Sequence, residues 1–223
     1  MTTTGLQVLG LVVSIAGWVG GALVCAAPFW RVSAFVGDEL VVSEVLWEGL
    51  WMTCLSQLGR IQCKVYDSSL ALAGSTQFCR VMVILSLLLG LLALPLGVIG
   101  MKCTHCLDGA HDVKARLVRT AGAVFMAAGV AFFLPVFWTT FAVIRDFYDP
   151  NVAPPLKREL GPALYLGGGV AFMMLVGGVM LYKGGSAPSS VSSKPTFGKG
   201  AGPTKDNPHP AATTEGKQDK AYV

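Results

Sequence analysis

No charged side chain precedes Arg31, and three further charge-free stretches follow at 81–101, 120–144 and 160–182. A hydrocarbon core about 30 Å thick is crossed by about 20 apolar residues in a helix. The pattern therefore predicts four membrane spans, at about 6–29, 81–101, 119–144 and 160–182. A charge at the centre of a span costs roughly 2.5–3.5 kcal/mol on insertion scales, which accounts for the gaps between charges. Four buried helices in a soluble protein would need a core far too large for 223 residues. Between the spans lie a large loop at 30–80, a short loop at 102–118 and a small loop at 145–159. A tail follows at 183–223. Residues 1–182 form one four-span domain on this reading.

The large loop changes period. Trp30, Val32, Ala34 and Val36 alternate with Arg31, Ser33 and Phe35, and Gly37-Asp38 reads as a turn. Leu40, Val41, Val42, Val45 and Leu46 continue in a second β-rich run. Leu50 to Leu55 and Ile61 to Tyr66 flank Gln57-Leu58-Gly59-Arg60, a glycine-containing hairpin connection. Cys54 and Cys63 then stand opposite one another on its arms, where a disulfide stabilises the loop by roughly 2–3 kcal/mol in the chain-entropy model. A metal site would need more ligands nearby.

Composition adds little to this but sets an orientation. Hydrophobic residues make up 53% of the chain and charged residues 13%, against about 25% charged in a soluble domain. The first span has no basic start and outlasts the 7–15-residue core of a signal peptide, so it reads as a permanent anchor. The 102–118 loop, Arg119 and the tail carry ten Lys and Arg, against seven in the two other loops. Basic residues favour the cytoplasmic side and disulfides the outer one. Both termini are expected in the cytoplasm, with loops 30–80 and 145–159 outside. The tail, rich in Ser, Pro, Gly, Lys and Thr, is too polar to offset its ordering entropy and reads as disordered.

Within the spans, Gly17 and Gly21, Ala123 and Ala127, and Gly167, Gly168, Gly169, Gly177 and Gly178 supply small residues for close helix packing. Pro95 and Pro135 sit mid-span and are expected to bend their helices. No Asp, Glu, Lys, Arg or His lies between the span ends. That argues against a proton relay, a charged transport site or an intramembrane enzyme. No cofactor, metal or nucleic-acid partner is indicated.

Trp30, then Gly49-Leu50-Trp51, then Cys54 and Cys63 resemble the signature of the claudin family, W…GLW-x2-C-x8-10-C. Arg80, Asp146-Phe147-Tyr148-Asp149-Pro150, Lys157-Arg158-Glu159-Leu160-Gly161 and the terminal Tyr222-Val223 extend the resemblance over the whole chain. It implies a membrane α-helical fold, a left-handed four-transmembrane bundle topped by a small extracellular antiparallel β-sheet. That sheet would have about five strands, four from the first loop and one from the second. It further implies a structural protein of the tight junction. Such proteins polymerise into paracellular strands with other claudins, in cis and in trans, and control the ions that pass between cells.

Carried over residue by residue, the resemblance implies cis or trans contacts at Phe147, Tyr148 and Leu160. It places Ser69 where the family often has an apolar knob, a departure that points to copolymerisation. Asp149-Pro150-Asn151-Val152-Ala153 departs from the toxin-binding pattern of some members. Lys64, directly after the second loop cysteine, falls at a pore-facing position and implies a cation barrier or a weakly anion-selective path. The other charges of the loop are expected mostly on a solvated face.

The tail ends in a free carboxylate behind an apolar β-branched residue, so Tyr222 and Val223 fit capture by a PDZ domain as an added strand. The implied partners resemble the zonula occludens scaffolds. Cys103 and Cys106, beside the second span, are candidates for palmitoylation by membrane lipid chemistry; one CxxC, even with His105 and His111 nearby, is a weak zinc signal. Cys25 and Cys79 read as small buried residues. A competing reading, a regulatory subunit of another membrane protein as in the calcium-channel-associated relatives, fits the second loop and terminal Tyr-Val less well.

Overall fold

The structure, a computed structural model, describes residues 2–34, 44–57, 59–68, 72–101, 111–152 and 157–185. Four long helices carry the apolar stretches: α1 (Thr2–Ala26), α2 (Gly74–Gly100), α3 (His111–Tyr148) and α4 (Pro162–Gly185). All four are long and apolar enough to cross a membrane. Their apolar side chains point outward as often as inward, with Leu23, Leu92, Phe137 and Phe172 all exposed. In lipid that costs nothing, because the surroundings are as apolar as the core.

Small and polar side chains therefore hold the bundle together. α4 packs between α1 and α3, and α2 packs mainly on α3. A Cβ on Gly122 would lie 2.6 Å from the Tyr182 nitrogen, and one on Gly178 would lie 2.8 Å from the Gly122 oxygen. Gly17 and Gly21 meet Met174 of α4 in the same way. Several side chains bond across helices. Ser86 Oγ donates to the Ala128 carbonyl at 2.7 Å, Trp18 Nε1 to Leu87 at 2.9 Å and Gln7 Nε2 to Gly184 at 2.8 Å. Cys79 Sγ lies 3.5 Å from Thr139 Oγ1. Bonds of this kind contribute on average about 0.6 kcal/mol each in membrane bundles.

Two expectations about small residues do not hold. Ala123 and Ala127 are exposed, and the contact face of α3 runs instead through Ala121, Gly122, Phe125, Ala128 and Gly129. Gly168 and Gly169 have nothing within 4 Å of a would-be Cβ, so only Gly167, Gly177 and Gly178 of that set serve packing. Helix faces repeat every 3.6 residues, and a pair four apart is silent about which face it occupies.

The sheet caps one end of the bundle. Its strands are β1 (Arg31–Ser33), β2 (Glu44–Glu48), β3 (Met52–Gln57), β4 (Arg60–Val65) and β5 (Arg158–Leu160). They run in the order β4-β3-β2-β1-β5, all antiparallel, four from the first loop and one from the second. The β3–β4 hairpin turns at Gly59, whose φ of 79° is open to glycine at no steric cost. The turn at Gly37-Asp38 and the run Leu40 to Val42 lie outside the described residues.

Helix ends depart most from expectation. α3 has 38 residues, about 57 Å at 1.5 Å per residue. It exceeds the 119–144 stretch at both ends, so Arg145, Asp146, Phe147 and Tyr148 are helical rather than loop. α2 begins at Gly74, which places Arg80 inside a helix rather than at its entrance. Helix geometry continues after the apolar run stops, because a charge marks the edge of the lipid and not the end of hydrogen bonding.

The α3–α4 contact yields a paired expectation. Gly122→Ala forces backbone apart and should destabilise the bundle by about 1–3 kcal/mol, seen as a lower unfolding temperature in detergent. Gly169→Ala, with open space, should be neutral or slightly stabilising, as expected for Gly→Ala inside a helix.

Candidate functional site: the sheet and its rim

The sheet is fixed to the bundle by backbone that passes through a crowded point. Trp30 N–H donates to the Glu48 carbonyl at 3.0 Å, Gly161 N–H to the Trp30 carbonyl at 3.0 Å and Ala163 N–H to Phe29 at 3.1 Å. A Cβ on Gly49 would lie 2.5 Å from the Pro28 Cα, and one on Gly161 would run into the Phe29 carbonyl. No other residue allows such an approach.

Around this point the signature side chains are buried, and their contacts are internal. Trp30 is 3% exposed and donates its indole N–H to the Val24 carbonyl at 3.0 Å. Leu50 is equally buried, and Trp51 turns its indole N–H to the Cys25 sulfur at 3.5 Å. Arg80 reaches up from α2, donating Nε–H to the Leu50 carbonyl at 2.7 Å. Its guanidinium lies over the rings of Trp51, at 5.0 Å, and Tyr66, at 5.4 Å. Tyr66 in turn accepts from Thr53 Oγ1 at 3.0 Å and donates to the Gly49 carbonyl at 3.3 Å. The GLW segment is thus clamped between a cation from below and a tyrosine from the hairpin.

Cys54 and Cys63 are direct cross-strand partners and form a disulfide, as the hairpin reading expects. Next to it, Lys64 stands on β4, every residue of which is exposed. Its ammonium lies 2.6 Å from Asp67 Oδ2, and both side chains are more than three-quarters exposed. The hydrogen bond and charge of Asp67 raise the Lys64 pKa above its usual 10.5. Asp67 thus supplies a counter-charge that the sequence reading did not assign.

At the opposite edge of the sheet, the last turn of α3 meets β5. Phe147 and Tyr148 pack edge to face at 5.5 Å, and the Lys157 ammonium lies 5.5 Å from the Phe147 centroid. Tyr148 is 79% exposed. With Leu160, Val143, Ile144, Tyr165 and the charged Arg158 and Glu159 they line an open groove of about 300 Å³. Phe147, Tyr148 and Leu160, separate in sequence, are therefore brought together. Lys64 is not with them: β4 and β5 are four strand spacings apart, about 19 Å.

A second ion pair also escaped the sequence reading. Arg158 of β5 reaches past β1 to Glu48 of β2 at 2.8 Å, with side chains 22% and 25% exposed. These two charges are not on a freely solvated face, and no local pattern could join residues 110 positions apart. Ser69, Cys103, Cys106, Tyr222 and Val223 lie outside the described residues. Among the described residues no group of His, Cys, Asp and Glu could hold a metal ion.

The Arg80 clamp is testable. Lys in its place keeps the charge but loses the Nε–H bond and the planar stack. Arg80→Lys should weaken sheet attachment by about 1.5–3 kcal/mol, read as faster proteolysis of the 30–72 segment while the helices stay protected.

Comparison with known proteins supports one family. The model described as PMP-22/EMP/MP20/Claudin family matches residues 4–181. Claudin-6 of Homo sapiens is 49% identical over 182 residues, 81% of this chain and 82% of that protein. Claudin-4 of Bos taurus is 46% identical over the same length, 81% of this chain and 87% of that protein. Claudin-like protein ZF-A89 of Danio rerio is 42% identical with the same coverage.

Proposed function

The chain belongs to the PMP-22/EMP/MP20/Claudin family, and from that premise we propose that it builds tight-junction strands that restrict cations between cells. The observation that carries this reading is the sheet with two unlike edges. Among the described residues neither β4 nor β5 has a strand beyond it. One edge presents the Phe147–Tyr148–Leu160 groove, whose exposed aromatic side chains a neighbouring molecule would cover. The other presents an exposed Lys64, paired with Asp67. Lateral contact at the groove repeats the molecule along a strand, in register with other claudins. The exposed charge then faces the gap between cells and disfavours cations.

Orientation follows from the same features. The Cys54–Cys63 disulfide is suited to an oxidising compartment, which supports a reading with the sheet outside and both termini in the cytoplasm. There Tyr222 and Val223 are offered to PDZ scaffolds of the zonula occludens type, and Cys103 and Cys106 to palmitoylation.

Selectivity is measured as the salt dilution potential of an epithelial monolayer with low background. Wild-type protein should raise resistance or shift the potential anion-ward, and Lys64→Glu should reverse that shift. Asp67→Asn should act oppositely to Lys64→Glu, because it removes the counter-charge at 2.6 Å. Unchanged potentials in both variants, with protein at cell contacts, would remove Lys64 from the pore. Assembly is read separately by freeze-fracture: Tyr148→Ala should shorten or abolish strands while leaving surface delivery intact.

A further inference from the structure

We propose that the end of the bundle remote from the sheet binds a multiply phosphorylated phospholipid headgroup, held by Arg116, Arg119 and Lys183. The site follows from where two apolar stretches stop. Arg119 is the last charge before the 120–144 stretch of α3, and Lys183 is the first charge after the 160–182 stretch of α4. Consecutive spans run antiparallel, so both cations sit at the same lipid–water boundary. Close packing then joins the two helix ends. A Cβ on Gly185 would lie 2.7 Å from Arg119 Cγ and 2.8 Å from the Ala115 carbonyl. The Arg119 guanidinium lies 5.2 Å from the Tyr182 ring, and its Nη2 donates to Tyr182 Oη at 3.3 Å. It is thereby held against α4 at Tyr182, the residue before Lys183. Arg116 is one helical turn away along the same face of α3.

Arg116, Arg119 and Lys183 are all exposed, whereas Lys114 is buried. Among the described residues Arg116 and Lys183 have no acidic partner within ion-pair distance, and Asp112 is the one acid at this end of the helices. Three cations at the headgroup level, with Asp112 the one acid near them among the described residues, complement a polyanion. Guanidinium forks bind phosphate oxygens two at a time, and a headgroup with several phosphates can engage all three cations together. A single carboxylate or phosphodiester would leave two of them uncompensated. Because the site adjoins the apolar face of the helices, the ligand is a lipid whose acyl chains lie along α3 and α4.

The proposal rests on the reading that the chain spans a bilayer, but not on its orientation or junctional role. The test uses the full chain in phosphatidylcholine nanodiscs, where both faces meet lipid. Discs contain either phosphatidylinositol bisphosphate or phosphatidylserine at matched total charge, and bound lipids are counted by native mass spectrometry. Each cation near such a surface is worth about a fivefold change in binding. Replacing two, as in R116Q/K183Q, should weaken capture of the bisphosphate lipid roughly twentyfold. The charge-keeping R116K/K183R should retain most of it, and R60Q at the sheet end should change nothing. Wild-type capture by R116Q/K183Q would overturn the site. Equal retention of phosphatidylserine would overturn the headgroup class. Binding of soluble inositol trisphosphate in lipid-matched discs as tightly as the lipid would overturn the lipid source. Strand formation and dilution potential are independent readouts, so a failure here leaves the junctional reading standing, and the converse.

Discussion

Everything on the sheet side depends on the point where three backbone segments cross within van der Waals reach. The exit of α1, the end of β2 and the entry to α4 meet at Pro28–Trp30, Gly49 and Gly161. A short sheet cannot stand alone in water, and this one has only three-residue strands at β1 and β5. Its stability comes from being threaded onto the bundle by hydrogen bonds that side chains would obstruct. The buried Trp30 and Leu50 fill the space beneath, so crossing and core are one unit.

From that anchor the two edges differ in kind. Toward β4 the sheet is stiffened covalently and by the Arg80–Trp51–Tyr66 stack, while its surface stays solvated. Toward β5 it is tied by the Glu48–Arg158 pair, which spans a strand and links the second loop to the first. The polar surface on one side and the aromatic-lined groove on the other are both held by contacts behind them. Shape at the rim is therefore set by residues that never reach the rim.

Several of these features were legible in the sequence. Charge gaps located all four helices, since lipid penalises charge whatever the packing. The Cys54–Cys63 pairing followed from a glycine turn between two β-rich arms, which is local information. What stayed hidden was tertiary. The Glu48–Arg158 pair joins different loops, the Lys64–Asp67 pair depends on how the chain turns after β4, and Arg80 looked like a boundary charge because its target, a carbonyl at Leu50, has no sequence mark. Ala123 and Ala127 were misplaced because spacing alone does not choose a helix face. The end of α3 was misplaced because polarity was taken for the end of the helix, and this moved Phe147 and Tyr148 from a loop onto a rigid element.

The length of α3 has a consequence for where the molecule resides. Its uninterrupted apolar run at 120–144 measures about 37 Å along the helix axis, against hydrocarbon about 27 Å thick in the membrane where proteins are made and about 32–33 Å in a sterol-rich plasma membrane. The helix must tilt in the thin bilayer and stands straighter in the thick one. Hydrophobic thickness thus favours the thicker bilayer for α3, and for the equally long charge-free α1, by a preference written in the spans rather than in loops or tail.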